Sequence, residues 1–366
     1  MSVIISLMMT KVKETSQPKK VLLGLSGGVD STASAALLKA QGFEVSAVTL
    51  DTWQEGEGDR QRVDRAAHSA ALLNIPHVIL DVREAFYDNV VLAFVNEWRQ
   101  GLTPNPCVMC NPDFKFKKMF ELADKLGCPY VATGHYARIK QDGERSWLYR
   151  ASHRPQDQSY FLYRLPETWL ERIRFPLGDK TKEDARHIAA ATSDPVAGQK
   201  DSQDICFLGP GKLRDFLNQH GLEEQEGAFV NRAGEPIGTH QGSWRYTVGQ
   251  RRHLGQAFGS RMTVLSIDHR KNIVVLGTEE DAQMAELELV DFIGSHPLPP
   301  FFEAEAQLRS QGKTLPVTVH LDDSQRRATV RFIQATRLSS PGQSLVLYEG
   351  DRVLGGGIVA TMSLNP

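Results

Sequence analysis

From Val21 to about Leu170, short apolar runs take turns with longer stretches in which apolar residues recur every three or four positions. VLLGLSG, EVSAVTL, HVILDV and YVATGHYARI read as strands, whereas STASAALLKAQG, DRQRVDRAAHSAALLNI, FYDNVVLAFVNEW and FKFKKMFELADKLG carry helical spacing. Such alternation predicts an α/β fold, a parallel sheet with helices on both faces. Ligands of these sheets bind beyond the carboxyl ends of the strands. GLSGGVDS and ATGHYAR both fall at such ends, which places them at one rim. After about Leu217 the texture changes to Gly-rich turns and short strands, as in GAFVNRAGEPIGTHQGSWRYTVGQRRHLGQAFG. Beyond about Met284, VTVHLDD, RRATVRFI, QSLVLYEG and RVLGGGIVA alternate like the antiparallel strands of a small barrel. The expected domains are 18–217, 218–283 and 284–366.

Composition narrows this little. The chain has 366 residues, too many for one ordinary core, with 41% hydrophobic and 23% charged residues. A net charge of −2 gives no global attraction to nucleic acid, so any such binding must use local basic patches. No apolar run reaches the roughly 18 residues of a membrane span. The opening MSVIISLMMTKVKETSQPKK has its lysines after the apolar patch, the reverse of a secretory signal, and reads as a loose tail. Four cysteines in so long a chain are no disulfide scaffold, which favours a reducing, cytoplasmic compartment.

GLSGGVDS, Gly24 to Ser31, closes a strand and opens a helix. The backbone N–H groups of such a turn form a nest for anionic oxygens, helped by the helix dipole. Ser26 and Ser31 offer hydroxyls, and Asp30 can help hold Mg2+ or cap the helix. No lysine follows the loop, unlike the common phosphate loop that ends in Gly-Lys-Ser/Thr. The pattern SGGxDS resembles the loop of the ATP pyrophosphatases, which implies cleavage of ATP between its α and β phosphates.

Cys107 and Cys110 form a C-x-x-C in TPNPCVMCNPDFKF, and Cys206 lies in the polar loop KDSQDICFLG. A C-x-x-C can bind metal, cycle as a disulfide, or carry a thiol of lowered pKa. Structural zinc would need a second ligand pair, and none is spaced for it. Lys115, Lys117, Lys118 and Lys200 lie close by in sequence, an electropositive setting of the kind reactive thiols need. Cys128, opening an apolar strand, reads as a small buried hydrophobe. In WRYTVGQRRHLG, Arg245, Arg251 and Arg252 interleave with aromatics as a patch for an RNA backbone.

GLSGGVDS, TPNPCVMCN, ATGHYAR, QDQSYFL, KDSQDICF, YTVGQRR, SPGQS and LGGGI occur in the order found in tRNA-specific 2-thiouridylases, which the chain resembles from about Val21 to Ala360. That resemblance implies adenylation of the C2 oxygen of the wobble uridine in tRNA, followed by sulfur delivery and release of AMP. It implies ATP contacts at Gly24, Leu25, Ser26, Gly27, Gly28, Val29, Asp30 and Ser31, at Gly134, and at the backbone of Leu50. Cys206 matches the persulfide carrier and Cys110 the partner nucleophile that can form a disulfide with it. Asn105, Pro106 and Cys107 match the segment that holds the target base, where many members have aspartate at the position of Cys107. His135, Gln156, Asp157, Gln158, Arg309 and Gln343 match tRNA contacts. Tyr160 and Phe161 read as core. The implied partners are tRNA and a sulfur donor, either a persulfide-carrying protein or a cysteine desulfurase relay. Cys107, Cys110 and Cys206 also make a three-cysteine set able to hold a [4Fe-4S] cluster with one open iron, a second route for the sulfur. Two rival readings remain: an amidating ATP pyrophosphatase, which leaves these cysteines idle, and a tRNA-binding or iron–sulfur carrier protein that releases no pyrophosphate.

Overall fold

The computed structural model describes residues 19–54, 58–192, 205–208 and 211–364; the N-terminal tail and the whole KDSQD stretch, Lys200 included, lie outside them. The first sheet is parallel and has five strands in the order β3-β2-β1-β4-β7. These are β1 (Lys20–Gly24), β2 (Glu44–Asp51), β3 (His77–Asp81), β4 (Tyr130–Ala132) and β7 (Ile173–Arg174). The chain order reverses beside β1, so the crevice at its carboxyl end is the expected ligand position for this topology. Helices α1 (Val29–Ala40) and α2 (Gly58–Leu72) cover β1 and β2. Alanine and serine on the buried side of α1 let it pack closely on the strands.

YVATGHYARI does not form one strand. The backbone bends at Thr133–His135, and Ala137 starts a hairpin, β5 (Ala137–Asp142) and β6 (Arg145–Arg150), that belongs to another sheet. The central unit is a four-stranded sheet in the order β10-β11-β8-β9. It comprises β8 (Gly227–Val230), β9 (Pro236–His240), β10 (Thr263–Asp268) and β11 (Ile273–Gly277).

The last strands are β12 (Gln283–Gly294), β13 (Phe301–Gln307), β14 (Leu315–Leu321), β15 (Ala328–Arg337), β16 (Ser344–Glu349) and β17 (Arg352–Leu364). β12 pairs with both β15 and β17, which closes six antiparallel strands into a barrel and removes its edges. The β5–β6 hairpin extends it through Tyr149 opposite Arg352. One apolar cluster contains Leu22 and Val131 of the parallel sheet together with Val346, Tyr348 and Val353 of the barrel, so the two share a core.

Candidate active site

The phosphate loop is built by its own hydroxyls. Ser31 Oγ donates to Gly28 O (3.0 Å) and accepts from Ser26 N–H (3.1 Å), while the two serine oxygens lie 3.2 Å apart. Ser31 is buried and so fastens the loop, whereas Ser26 is exposed at its mouth. Gly27 has φ +71°, and a Cβ there would come within 2.7 Å of Arg62 O and 2.8 Å of Ala66 N on α2. Gly28 precedes α1 without a side-chain cap, leaving the first N–H groups of the helix to an anion. Leu25 and Val29 are buried, and Gly24 passes close to Met119. A glycine-rich turn this tight, with an exposed hydroxyl and an uncapped helix start, fits a nucleotide's phosphates.

No lysine follows the loop in sequence, but one reaches it in space. Lys182, from the helix Lys182–Ala191, donates to both oxygens of Asp30 at 2.9 Å, and the Tyr136 hydroxyl donates to Oδ1 at 2.7 Å. From α2, Arg62 donates to Leu50 O (3.0 Å) and Arg65 to Gly27 O (3.4 Å). Three cations therefore surround the loop, none of them adjacent to it in sequence. Asp30 does not cap α1, and its carboxylate is engaged by a lysine and a phenol. Among the described residues no set of three His, Cys, Asp or Glu side chains is gathered to hold a metal. Mg2+ fits here as an ion carried mainly by triphosphate oxygens and water.

Gly134 packs against the loop so closely that a Cβ would lie 2.9 Å from Asp30 C and 3.0 Å from Ser31 N. The next residue, His135, is stacked on Phe116 and edge-on to Phe175, with Nδ1 2.8 Å from Thr133 Oγ1. Burial, and after it the nearby Lys115 cation, pushes its pKa down to about 3, so the imidazole is neutral. Phe116 ends the turn that begins at Cys110. Asn105 and Pro106 start the short helix Pro106–Cys110, and a π-helical turn, Asn111–Phe116, continues it. Buried Asn111 donates to Phe161 O (2.9 Å) and accepts from Lys115 Nζ (3.1 Å), which sets the lysine beside the cysteines.

Cys107, Cys110 and Cys206 come near enough to influence one another's ionisation. Burial pushes the Cys107 thiol up to about 11, and nearby Cys206 adds to this. Burial pushes Cys110 up to about 12 against the pull of Lys115, whose backbone N–H also bonds to the sulfur. Cys206 is exposed. The expectation of three thiols in an open electropositive setting thus holds only in part: the cation is present, but two of the thiols are half-buried and held protonated. Cys128 is buried in the core, as expected.

The segment leading into Asn105 and Pro106 is clamped from two sides. Gln343 Nε2 donates to Thr103 O (2.7 Å), and Thr103 N–H donates to Pro341 O (2.8 Å). Gly342, at φ +90°, lies so close that a Cβ would come within 2.9 Å of Leu102 and Thr103. On the other side, a Cβ at Gly101 would overlap the His269 ring of the central unit. In this structure Gln343 is therefore a brace for the loop 103–106.

The segment 156–158 has its own internal tasks. Asp157 is buried, pairs with Arg150 (3.2 Å) and accepts from Ala151 N–H, Ser159 N–H and Ser159 Oγ. Gln158 Oε1 accepts from Tyr136 N–H (2.9 Å), which links this segment through Tyr136 to Asp30. Gln156 is half-buried, and Oε1 has no partner among the described residues. Arg309 is exposed and lies near Tyr160, which is fully buried.

Comparison with known proteins follows the same three units. The family model described as the tRNA methyl transferase HUP domain matches residues 19–210. The tRNA methyl transferase PRC-barrel domain matches 214–278, and the aminomethyltransferase beta-barrel domain 286–359. The chain is 41% identical to the tRNA-specific 2-thiouridylase MnmA of Syntrophotalea carbinolica, over 93% of this chain and 99% of that one. It is 39% identical to the protein of that name from Clostridioides difficile, covering 93% and 98%. The one from Acidithiobacillus ferrooxidans is also 39% identical, covering 93% and 97%. With likeness along nearly its whole length, the chain belongs to the tRNA-specific 2-thiouridylase family.

Proposed function

We propose that the chain is a tRNA-uridine 2-sulfurtransferase, which replaces the C2 oxygen of the wobble uridine by sulfur at the expense of ATP. The observation that carries this reading is the bend Thr133–His135. Gly134 touches the phosphate loop while His135 stacks against the turn that follows Cys110. These two contacts support a reading in which phosphoryl chemistry and thiol chemistry act on the same base.

The loop N–H groups, Ser26 and the cations Lys182, Arg62 and Arg65 orient the triphosphate. The uridine C2 oxygen attacks the α-phosphorus, the α–β bridge breaks, and pyrophosphate leaves. The terminal sulfur of a persulfide on Cys206 then attacks C2. Cys206 is exposed, so it can be reloaded by a donor protein. Cys110 attacks the Cys206 sulfur; the S–S bond breaks, and its electron pair goes to the sulfur retained on C2 as AMP departs. The resulting Cys110–Cys206 disulfide is reopened by an external thiol. Cys110 must lose its proton in this step, and Lys115 is the cation that favours the thiolate. Neutral His135 is far too weak a base to take that proton and acts by stacking beside the base.

The test is tRNA-dependent nucleotide turnover. Release of AMP and pyrophosphate in equal amounts, only with tRNA present, is expected. Formation of ADP, or turnover indifferent to tRNA, overturns the reading.

A further inference from the structure

β3 is an outer strand of the parallel sheet, and among the described residues it pairs with β2 alone. That ladder fixes which way each of its peptide groups points. Ala47 N–H donates to Pro76 O (2.7 Å), and Val82 N–H donates to Asp51 O (3.0 Å), with Ala47 level with His77 and Asp51 level with Asp81. In this phase the N–H and C=O groups of Val78 and Leu80 turn toward β2. Those of His77, Ile79 and Asp81 turn outward.

The outward edge is apolar and unguarded. The strand, HVILD, contains no proline, lysine or bulge, the devices that keep most sheet edges from pairing. Val78 and Ile79 are 37% and 49% exposed. Beside the strand's carboxyl half lies a groove of about 730 Å³, floored by Leu80 and Leu122. Its charges balance: Asp81, Glu84 and Glu121 stand against Arg83, Lys118 and Lys125. Such a surface favours neither an acidic nor a basic partner.

The strand is complementary to itself. A two-fold axis through Ile79 lays β3 antiparallel to its copy, with Ile79 facing Ile79, Val78 facing Leu80, and His77 facing Asp81 at both ends. His77, Ile79 and Asp81 are the residues whose peptide groups point outward, so each facing pair exchanges two hydrogen bonds, six in all. Moving the axis by one residue leaves His77 or Asp81 unmatched and drops the count to four. The axis also sets an imidazole beside the Asp81 carboxylate, which Arg83 keeps ionised.

We propose that two copies of this chain associate edge to edge through β3, in antiparallel register centred on Ile79. The interface is isologous and joins the two five-stranded sheets into one of ten strands. Because the strands run oppositely, the two phosphate loops lie at opposite ends of the joined sheet, each open to its own substrate. A five-residue edge belongs at the small end of specific interfaces, so the dimer is expected at a Kd of about 1–50 μM.

The experiment is sedimentation of the full chain from about 1 to 200 μM, beside V78K/I79K and I79C. The wild-type mass is expected to rise from one chain of 40.7 kDa toward twice that, and V78K/I79K to remain a single chain throughout. Facing Cα atoms in this register are about 5.5 Å apart, within disulfide reach. I79C in a Cys206→Ala background is therefore expected to form a bridged dimer on mild oxidation, with peptide mass spectrometry placing the bridge between the two introduced cysteines. This variant decides alone if the lysine pair fails to fold. A wild type that stays a single chain, together with an unbridged I79C, overturns the proposal. A dimer that persists in V78K/I79K also overturns it, placing the interface elsewhere. A single-chain wild type whose V78K/I79K variant loses thiolation only with a protein sulfur donor overturns it too, and makes the edge the donor's dock.

Discussion

Alkylation of the cysteines as a function of pH probes the site's electrostatics most finely. The structure separates an exposed Cys206 from Cys110, a thiol pushed up to about 12 by burial. At pH 8 an ordinary exposed thiol near 8.5 is about one-quarter thiolate, and one near 12 is about one part in ten thousand. Ionisation alone therefore separates their rates by roughly 2,500-fold. The more basic thiolate is intrinsically the stronger nucleophile, with a Brønsted coefficient of about 0.45, and this returns roughly 40-fold. A net factor of about 60 in favour of an ordinary exposed thiol remains, before burial hinders the reagent at all. Timed iodoacetamide labelling of the reduced protein, quenched and read by peptide mass spectrometry, gives the rate at each cysteine. Cys206 should be modified first. The Cys110 rate should rise about tenfold per pH unit to beyond pH 10, with no plateau near 8.5. K115M should slow Cys110 labelling further by removing the cation that opposes burial. Labelling of Cys110 at pH 8 as fast as Cys206, or a plateau below pH 10, refutes the assignment of a buried, protonated thiol.

Three more outcomes follow from single contacts. Lys182→Met removes the cation bonded to Asp30 and should slow tRNA-dependent pyrophosphate release by roughly 100-fold, whereas loss of tRNA affinity alone would mean the lysine has no part at the phosphates. Gln343→Ala should cost about 1–2 kcal/mol at the loop 103–106, read as faster hydrogen exchange at Thr103 and Asn105 and a higher KM for tRNA; unchanged exchange there removes the bracing role. The folded pKa of His135, about 3, lies below the ordinary 6.5. Its contribution to stability is therefore full above pH 6.5 and is lost as pH falls toward 3, by up to about 4 kcal/mol. The Tm of His135→Gln should accordingly decline less than wild type between pH 6.5 and 4, and parallel declines contradict the neutral, enclosed imidazole.

The phosphate loop, the strand-and-helix alternation and the C-terminal barrel were legible because each is written in contiguous residues with a clear period. The bend inside YVATGHYARI was not. The residues on either side of Thr133–His135 both read as strand, and no proline or positive-φ glycine marks the turn. It is imposed by packing, with Gly134 pressed against Asp30 and Ser31. The loop's lysine was hidden for another reason. Lys182 stands 152 positions from Asp30, and only the fold brings them together. What the sequence could not foretell for the cysteines was their unequal burial. Spacing places Cys107 and Cys110 on one short helix, but the Phe-rich cluster around Cys110 comes from distant helices.

The most direct test of the account is tRNA 2-thiouridine content by nucleoside mass spectrometry, after incubation with ATP, a sulfur donor and either wild type, Cys206→Ala or Cys110→Ala. The account predicts 2-thiouridine with the wild type alone, at least about 100-fold less with either variant, and undiminished tRNA binding by both. Product formed at the wild-type rate by Cys206→Ala would contradict it.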